Sequence, residues 1–422
     1  RDCLAGFDRS LLTQLVLASS TLPFDDRQNA GVVANALQLK SALRSIDQTG
    51  SQRAGSTALA AALDGGSATG QTQVEAADAR KSKAGSTQEM HYGDGAAAVL
   101  VGQGEPIARL IASHSETVDF VHQYRMHDRS HDYAWEERWV RDEGYLKIVP
   151  RAVAALLAKS GVDAAAITQF CMPGTLSRIG AAVAKRCGLG EGMVRDNLAA
   201  VCGDTGVAHP LLMLAAALED AKAGDRIVVA AFGEGCDALL FEVTPAIAKT
   251  SERRGVKGAL AARREDGNYM RYLSFNGLLI MERGMRAEPD KPTQMTVLYR
   301  NRDMIQGLVG GKCRQCGTVQ YPRQRYCVNP ECNALDSQDD YAFSERCGKV
   351  MSYTADSLTY SPDPPTYFGM VTFDGGGRML MDFSEIEAGQ IDVGMAVRMV
   401  FRIKDTDTMR GFVRYFWKAV PA

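Results

Sequence analysis

No stretch of this sequence approaches the roughly 20 consecutive apolar residues that a membrane-spanning helix needs. No charge of one sign dominates either: 48 Lys and Arg against 50 Asp and Glu leave a formal net charge of −2. A bilayer span is therefore not expected, nor a nucleic-acid or anionic-membrane surface. The start of the chain lacks the charged, apolar and small-residue zones of a secretory leader. It also lacks an initiator Met and opens inside what reads as a helix, Arg1 to Leu4, with Phe7 after it; the natural N-terminus is expected upstream. Histidine is scarce, at six residues, and the ten cysteines are not evenly spread. Four cluster at metal-binding spacing and six lie singly, mostly in apolar contexts. That usage excludes a disulfide scaffold and fits a reducing, cytoplasmic setting.

What is present is ordinary globular material. With 422 residues, 45% hydrophobic and 23% charged, the chain has room for two or more domains with real cores. The first part alternates strands with helices: strands at residues 15–19, 73–78, 167–172, 225–232 and 238–243, a Gly-rich turn running into a strand over 93–101, and helices at 29–39, 149–159, 179–187 and 211–223. Such alternation predicts a mostly parallel α/β sheet. Residues 107–145, rich in Asp, His, Arg and aromatics, read as an insertion over one face of that sheet, either a solvated helical excursion or a lid on a pocket. Residues 249–257 read as a charged linker and 269–286 as a helix ended by Pro292. Beyond Gly310 the style changes to five short strands, at 349–354, 366–373, 378–383, 396–403 and 411–417. Gly375-Gly376-Gly377 forms a hairpin there, and the set predicts a small barrel such as an OB-fold.

The most specific local signal is Cys313-x-x-Cys316 followed by Cys327-x4-Cys332. Two thiolate pairs on turns, aimed by Gly317 and Pro330, are what tetrahedral Zn2+ takes in a closed structural site. With all four positions filled by sulfur, no place remains for a catalytic water. Cys347 reads as a spare core thiol. Cys171, Cys187, Cys202 and Cys236 read as buried, inert thiols.

A second stretch organises the first part: a strand end at Ile46-Asp47-Gln48, a polar turn through Gly50, then a small-residue helix from Gly55. Such a turn presents Ser51, Gln52 or Arg53 at a helix N-terminus, where the dipole favours developing negative charge. This turn resembles one that, in the thiolase superfamily, carries a nucleophilic cysteine. Tyr92-Gly93-Asp94-Gly95-Ala96-Ala97-Ala98, preceded by Ala76-Ala77-Asp78-Ala79-Arg80, resembles the Gly-Asp-Gly-Ala turn of the ketoacyl-synthase III and HMG-CoA-synthase branch. Gly203-Asp204-Thr205-Gly206 resembles that family's Gly-Asn-Thr loop, and Phe232-Gly233-Glu234-Gly235 its closing Gly-rich loop. The last third resembles the zinc-ribbon and OB-fold proteins that accompany thiolases and steroid side-chain aldolases.

The resemblance implies an α/β, thiolase-like αβαβα fold followed by a rubredoxin-like zinc ribbon and a β-barrel OB-fold. It divides the chain into a thiolase-like domain at 1–248, a linker with helices at 249–305, a ribbon at 306–345 and an OB-fold at 346–422. It implies acyl-CoA, with coenzyme A as part of the substrate, a homodimer through the thiolase-like domain, and a separate thiolase-type subunit as partner. The catalytic pattern departs from the family's. Aligning on Ala58-Leu59 places Gln52 at the nucleophile position; aligning on Gly55 places Arg53 there. Neither can carry an acyl group. The family's His falls near Met172-Pro173, its Asn at Asp204, and the HMG-CoA-synthase glutamate near Ser20-Thr21.

Two readings stay open. In one, the chain makes or breaks a C–C bond of a CoA thioester without a covalent intermediate, since retro-aldol cleavage or decarboxylation needs only an acid, a base and an oxyanion hole. Asp204 and His209 are then the acid–base pair, Glu234 assists and Gln52 donates to the thioester oxygen, while Trp135, Arg138 and Lys147 grip CoA. In that picture Asp204 and His209 have an alternative account as a cap and a structural histidine. In the other reading the chain is a non-catalytic scaffold that docks an active thiolase. A true HMG-CoA synthase is excluded by the missing cysteine.

Overall fold

The computed structural model describes all residues except 66–69, 251–252, 283–292 and 362. Contacts divide the chain into two units, one of residues 1–31 and 39–267, the other of 32–38 and 268–422.

The first unit holds two four-stranded sheets. One runs in the order Arg44–Gln48, Leu12–Ala18, Gln71–Asp78, Gly95–Val101. Its first three strands are parallel, with Val16 opposite Ile46 and Val74, and the last is antiparallel. The other runs Ala108–Thr117, Gly235–Val243, Arg226–Phe232, Gln169–Cys171. Here Gly235–Val243 is antiparallel to both neighbours, and only Gln169–Cys171 pairs in parallel. The sheets are thus mixed rather than mostly parallel. The turn from Phe232 to Gly235 is too short to hold a crossover helix, so the chain can only double back.

Between the sheets lie the helices Ala54–Asp64 and His209–Asp220. Ala58, Leu59, Leu211, Leu214 and Ala217 meet Val16, Val74 and Ala76 of one sheet and Val229, Leu239 and Phe241 of the other. Each fully buried leucine here contributes about 1.5–3 kcal/mol. Small residues let these layers approach: a Cβ on Gly55 would sit 2.4 Å from the Val207 carbonyl oxygen. The far face of the second sheet is covered by Ile148–Ser160 and Ile179–Arg186, through Val149, Val153, Leu156 and Val183 on Phe170, Val228 and Leu240. Ile148–Ser160 ends where Gly161 turns left-handed at φ +66°. No helix among the described residues is long and apolar enough to cross a membrane.

Several local expectations are corrected. Residues 107–145 are not one insertion. Ala108–Thr117 is the edge strand of the second sheet, half-buried, so its polar face hides the strand pattern. Only residues 118–145 make the excursion. It contains the ribbon Gln123–Tyr124 with Tyr133–Ala134 and a helical stretch from Glu137 to Tyr145. The stretch read as a linker ends in a helix, Gly255–Ala261, docked through Glu219 and Asp220. The expected helix from 269 is Tyr269–Phe275 and stops at Asn276; Arg286 and Pro292 lie outside the described residues.

In the second unit, Val319–Gln320, Val309–Cys313 and Gln338–Ala342 form a three-stranded ribbon. Five further strands follow: Gly348–Asp356, Thr366–Phe373, Arg378–Asp382, Ala396–Asp407 and Phe412–Pro421. Numbered one to five, they hydrogen-bond in the order 3-2-1-4-5. A parallel bridge from Phe383 to Ala419 then joins the third to the fifth and closes the barrel. Closure leaves few free edges, which is how small antiparallel proteins avoid pairing with one another. The interior holds Val350, Val371, Phe373, Met381 and Trp417, and the Trp417 indole N–H donates to the Gln306 carbonyl at 2.7 Å.

Candidate active site and metal centre

The turn after Arg44–Gln48 separates the roles of its polar residues. Arg53 turns into the protein. Its guanidinium pairs with Asp237 at 2.8 Å and donates to the Gly233 carbonyl, also at 2.8 Å. Asp237 is 1% exposed and also accepts the hydroxyls of Ser56, Thr57 and Ser115. With Arg53 bolted down, Gln52 is the residue presented to a cavity of about 360 Å³.

Three groups crowd beside Gln52. Arg80, reached just after Gln71–Asp78, donates to the Gln52 side-chain oxygen at 3.4 Å. It pairs with the Asp204 carboxylate at 2.9 Å and donates to the Asp204 carbonyl at 2.6 Å. The guanidinium lies 3.9 Å from the centre of the Tyr92 ring, and its side chain is 1% exposed. Burial works to raise the Asp204 carboxyl, but Arg80, His209 and the Gly206 N–H hold it below the usual carboxylate range. Tyr92 donates to Asp132 at 2.9 Å, and Asp132 is gripped in turn by Arg125. Burial pushes the Tyr92 and Tyr145 hydroxyls up.

His209 is buried with both ring nitrogens engaged. The Thr205 N–H donates to Nδ1 at 3.0 Å, and Nε2 lies 2.6 Å from the Asn197 carbonyl, to which it donates in the tautomer that Nδ1 acceptance requires. Nδ1 is also 3.8 Å from the Asp204 carboxylate. Glu234 stands at φ +44° in the Gly-Glu-Gly turn and accepts the Ser51 hydroxyl at 2.6 Å.

Of the expected site residues, the structure brings Gln52, Asp204 and Trp135 to the cavity wall. His209 and Glu234 stand directly behind it, against Asp204 and Ser51. Arg138 and Lys147 lie off the lining, paired with Asp142 at 3.8 Å and Glu143 at 2.6 Å. Arg80, Tyr92, His122 and Tyr145 also line the cavity and were not singled out. Arg80 ends the Ala-Ala-Asp-Ala-Arg motif, and His122 lies within residues 107–145, read as either a solvated excursion or a lid. Both signals were in view, but a lone cation or histidine in a loop carries no chemistry until its neighbours are known.

Among the described residues, no cysteine lines the cavity. Burial pushes Cys171 up to about 12 and Cys187 up to about 11, and raises Cys202 and Cys236 as well. The wall instead offers hydrogen-bond donors and proton-transfer groups.

In the ribbon, the sulfurs of Cys313, Cys316, Cys327 and Cys332 all lie within 4.8 Å of one another. Cys316 and Cys327 are 3.5 Å apart and Cys313 and Cys332 3.9 Å. Zinc–sulfur bonds of about 2.3 Å in a tetrahedron need sulfur separations of about 3.8 Å, so the set fits Zn2+. The hydroxyls of Ser337 and Thr318 lie 3.2 Å from Cys313 and Cys316, placed to donate to thiolates. Four sulfurs make a closed, structural centre.

Comparison with known proteins agrees with this architecture. Residues 157–242 match the model for the C-terminal part of 3-oxoacyl-[acyl-carrier-protein] synthase III. Residues 304–336 match the ChsH2 rubredoxin-like zinc ribbon, and 342–402 the ChsH2 C-terminal OB-fold. The chain joins a thiolase-like condensing-enzyme fold to a zinc ribbon and an OB-fold. A hydroxymethylglutaryl-CoA synthase of Aeropyrum pernix is 26% identical over 66% of this chain and 79% of its own length. A DUF35 domain-containing scaffold protein of Methanothermobacter thermautotrophicus is 26% identical over 31% of this chain and 97% of its own. Among solved structures, an HMG-CoA synthase complexed with CoA superposes with a TM-score of 0.54. It is 18% identical and covers 66% of this chain and 75% of its own. The synthase III of Pseudomonas aeruginosa reaches 0.51 at 24% identity, over 57% of this chain and 80% of its own.

Proposed function

We propose that this protein binds an acyl-CoA thioester in the cavity behind Gln52 and makes or breaks a C–C bond of it without an acyl-enzyme intermediate. The observation that carries this is a retained cavity whose wall holds an amide in place of a nucleophile, beside a buried Arg80–Asp204 pair and ionisable side chains. An enzyme that has lost covalent catalysis but kept positioned donors and proton-transfer groups can still run retro-aldol or decarboxylation chemistry. In this reading Gln52 donates its amide N–H to the thioester oxygen. In place of the expected Asp204–His209 acid–base pair, the Asp204 carboxylate fixes Arg80 beside the thioester, and His209, both ring nitrogens engaged, holds the Asp204 loop in register. Glu234 assists from behind the wall, and Trp135 serves the CoA end, while Arg138 and Lys147, expected to grip it, stay paired with Asp142 and Glu143 off the lining. The four-cysteine ribbon holds Zn2+, which ties the turns of that module together. The setting is a homodimer in the cytoplasm, in company with a thiolase-type subunit.

A second reading is favoured by the match to the archaeal scaffold protein, which takes in nearly the whole of that protein: the chain supports a separate thiolase and performs no chemistry. Purified protein decides. Turnover of an acyl-CoA by the chain alone supports the first reading; turnover only when an active thiolase is added, unaffected by Gln52→Ala, supports the second. Mass spectrometry after incubation with acetyl-CoA is expected to show unmodified protein. An acyl adduct mapped to Ser51 would overturn the non-covalent mechanism.

A further inference from the structure

His122 is 10% exposed at its side chain, lines the cavity, and leaves Nδ1 buried without a hydrogen bond. That nitrogen lies 3.9 Å from Glu234 Oε1. The other Glu234 oxygen accepts the Ser51 hydroxyl at 2.6 Å, which holds Oε1 toward the ring. Glu234 is itself held in a left-handed backbone conformation, and residues other than glycine keep that only where surroundings enforce it. Phe232 packs on the same ring, centroids 5.1 Å apart, and fixes its plane.

From this cluster we propose that His122 is the catalytic base of the cavity, with Glu234 as its positioning residue and Ser51 as the pin that holds Glu234. A small side-chain rotation closes the 3.9 Å gap to a hydrogen bond, as catalytic pairs do on binding substrate. In this proposal Nδ1–H turns to Glu234, which leaves Nε2 to take the substrate's proton. Burial lowers the His122 pKa, opposed by Glu234, the Phe120 backbone and Asp204 and reinforced by Arg80, so near neutrality the ring is uncharged and has a free lone pair to accept a proton.

The inference rests on the non-covalent reading and narrows the substrate to a 3-hydroxyacyl-CoA. His122 Nε2 takes the proton of the 3-hydroxyl. As that oxygen becomes a carbonyl, the Cα–Cβ bond breaks and its electrons pass into the thioester carbonyl, whose oxygen Gln52 holds. A ketone or aldehyde leaves, and the His122 imidazolium returns its proton to Cα, giving the shortened acyl-CoA. Nothing is oxidised or reduced and no co-reactant is needed.

The test uses full-length protein and a panel of straight-chain and 3-branched 3-hydroxyacyl-CoA thioesters, with acetyl-CoA binding measured in parallel. His122→Gln is expected to lower turnover about 100- to 10,000-fold while acetyl-CoA affinity stays within about threefold. Glu234→Gln removes the carboxylate that favours the imidazolium, so the acid limb of kcat/KM moves to lower pH. If either variant loses its melting transition, NMR titration of the His122 ring in wild-type protein, with and without acetyl-CoA, still reads the pairing; a ring that does not titrate higher on binding overturns it. Active wild-type protein with an unaffected His122→Gln variant overturns this inference alone. Wild-type protein that cleaves no member of the panel but decarboxylates malonyl-CoA overturns this inference alone; protein that binds acetyl-CoA yet turns over neither, alone or with a thiolase, overturns the function reading and this one with it.

Discussion

The cysteine centre of the ribbon and the cavity of the thiolase-like unit are built on opposite plans. The ribbon draws its four sulfurs from 20 residues of chain, each on a turn, and each identical in kind. The cavity draws Gln52, Arg80, His122, Tyr145, Asp204 and Phe232 from six separate stretches, each different in kind. A metal site of the first sort fails completely when one ligand goes, because the ion's binding energy is folding energy. A cavity of the second sort degrades by degrees, because each group depends on a different neighbour. One wall residue such as Gln52 can therefore change while the surrounding donors and ionisable groups remain.

The largest effect separating the two plans is expected in the ribbon. Cys313→Ser or Cys327→Ala should reduce zinc from one per chain to almost none, with loss of structural zinc binding worth on the order of 10 kcal/mol. Metal analysis of fresh protein, with limited proteolysis across residues 306–345, checks this. Wild-type protein without zinc would remove the contrast altogether.

The next effect lies beneath the cavity. Asp237 accepts four side-chain donors, among them the Arg53 guanidinium. Asp237→Ala leaves Arg53 charged and nearly buried, which is expected to cost about 3–5 kcal/mol in a urea titration. The simultaneous change Arg53→Met should recover part of that loss. A single Asp237→Ala variant of wild-type stability would show that the turn is held by its helix alone.

These two predictions also mark what was legible in the sequence. The ribbon and barrel could be read directly, because Cys spacing and alternating strands are local patterns. The Gly-rich loops at 203–206 and 233–235 could be read as framing the site, and Asp204, Gly206 and the neighbouring Phe232 do line the cavity. Arg53 and Gln52 could not be told apart, because the choice is made by Asp237, 184 residues away along the chain. Arg80 was passed over for the same reason: its partner Asp204 is 124 residues distant. The strand Ala108–Thr117 was misread because an edge strand wets one face and borrows its identity from Gly235–Val243.

Asp204 sharpens the comparison with a smaller change. Its partner Arg80 is buried, but the Asp204 side chain is 26% exposed to the cavity. Asp204→Asn is therefore expected to cost about 2–3 kcal/mol, less than a fully buried pair. The sign with pH follows from the lowered carboxyl: against an ordinary value of 3.8, the folded form holds its charge to lower pH than the unfolded chain. The stabilisation is complete above about pH 4 and disappears as acid carries the protein below the folded value. Asp204→Asn should flatten that acid limb while leaving the slope above pH 5 unchanged. An acid limb identical in the two proteins would mean that the pair contributes nothing to stability.

The smallest effect concerns the cavity mouth, where Trp135 is 52% exposed and Tyr133 lies 6.4 Å away, ring to ring. An indole left half in water at a cavity rim has apolar surface to offer a ligand and little to lose from the fold. Trp135→Ala is expected to weaken acetyl-CoA binding by about fivefold, near 1 kcal/mol, with stability changed by less than about 0.5 kcal/mol. Arg138 and Lys147 provide the internal control. Each is committed to an acidic neighbour on its own helical stretch, Asp142 and Glu143, and exposed pairs of this kind contribute about 0.3–0.5 kcal/mol. Their alanine variants should change affinity by less than about twofold at 0.15 M salt, where the Debye length of about 8 Å screens charges outside the lining. Calorimetric titration of the three variants ranks them. If Lys147→Ala or Arg138→Ala exceeds Trp135→Ala, the anionic end of the ligand runs along residues 137–147, and the rim around Trp135 is ordinary surface.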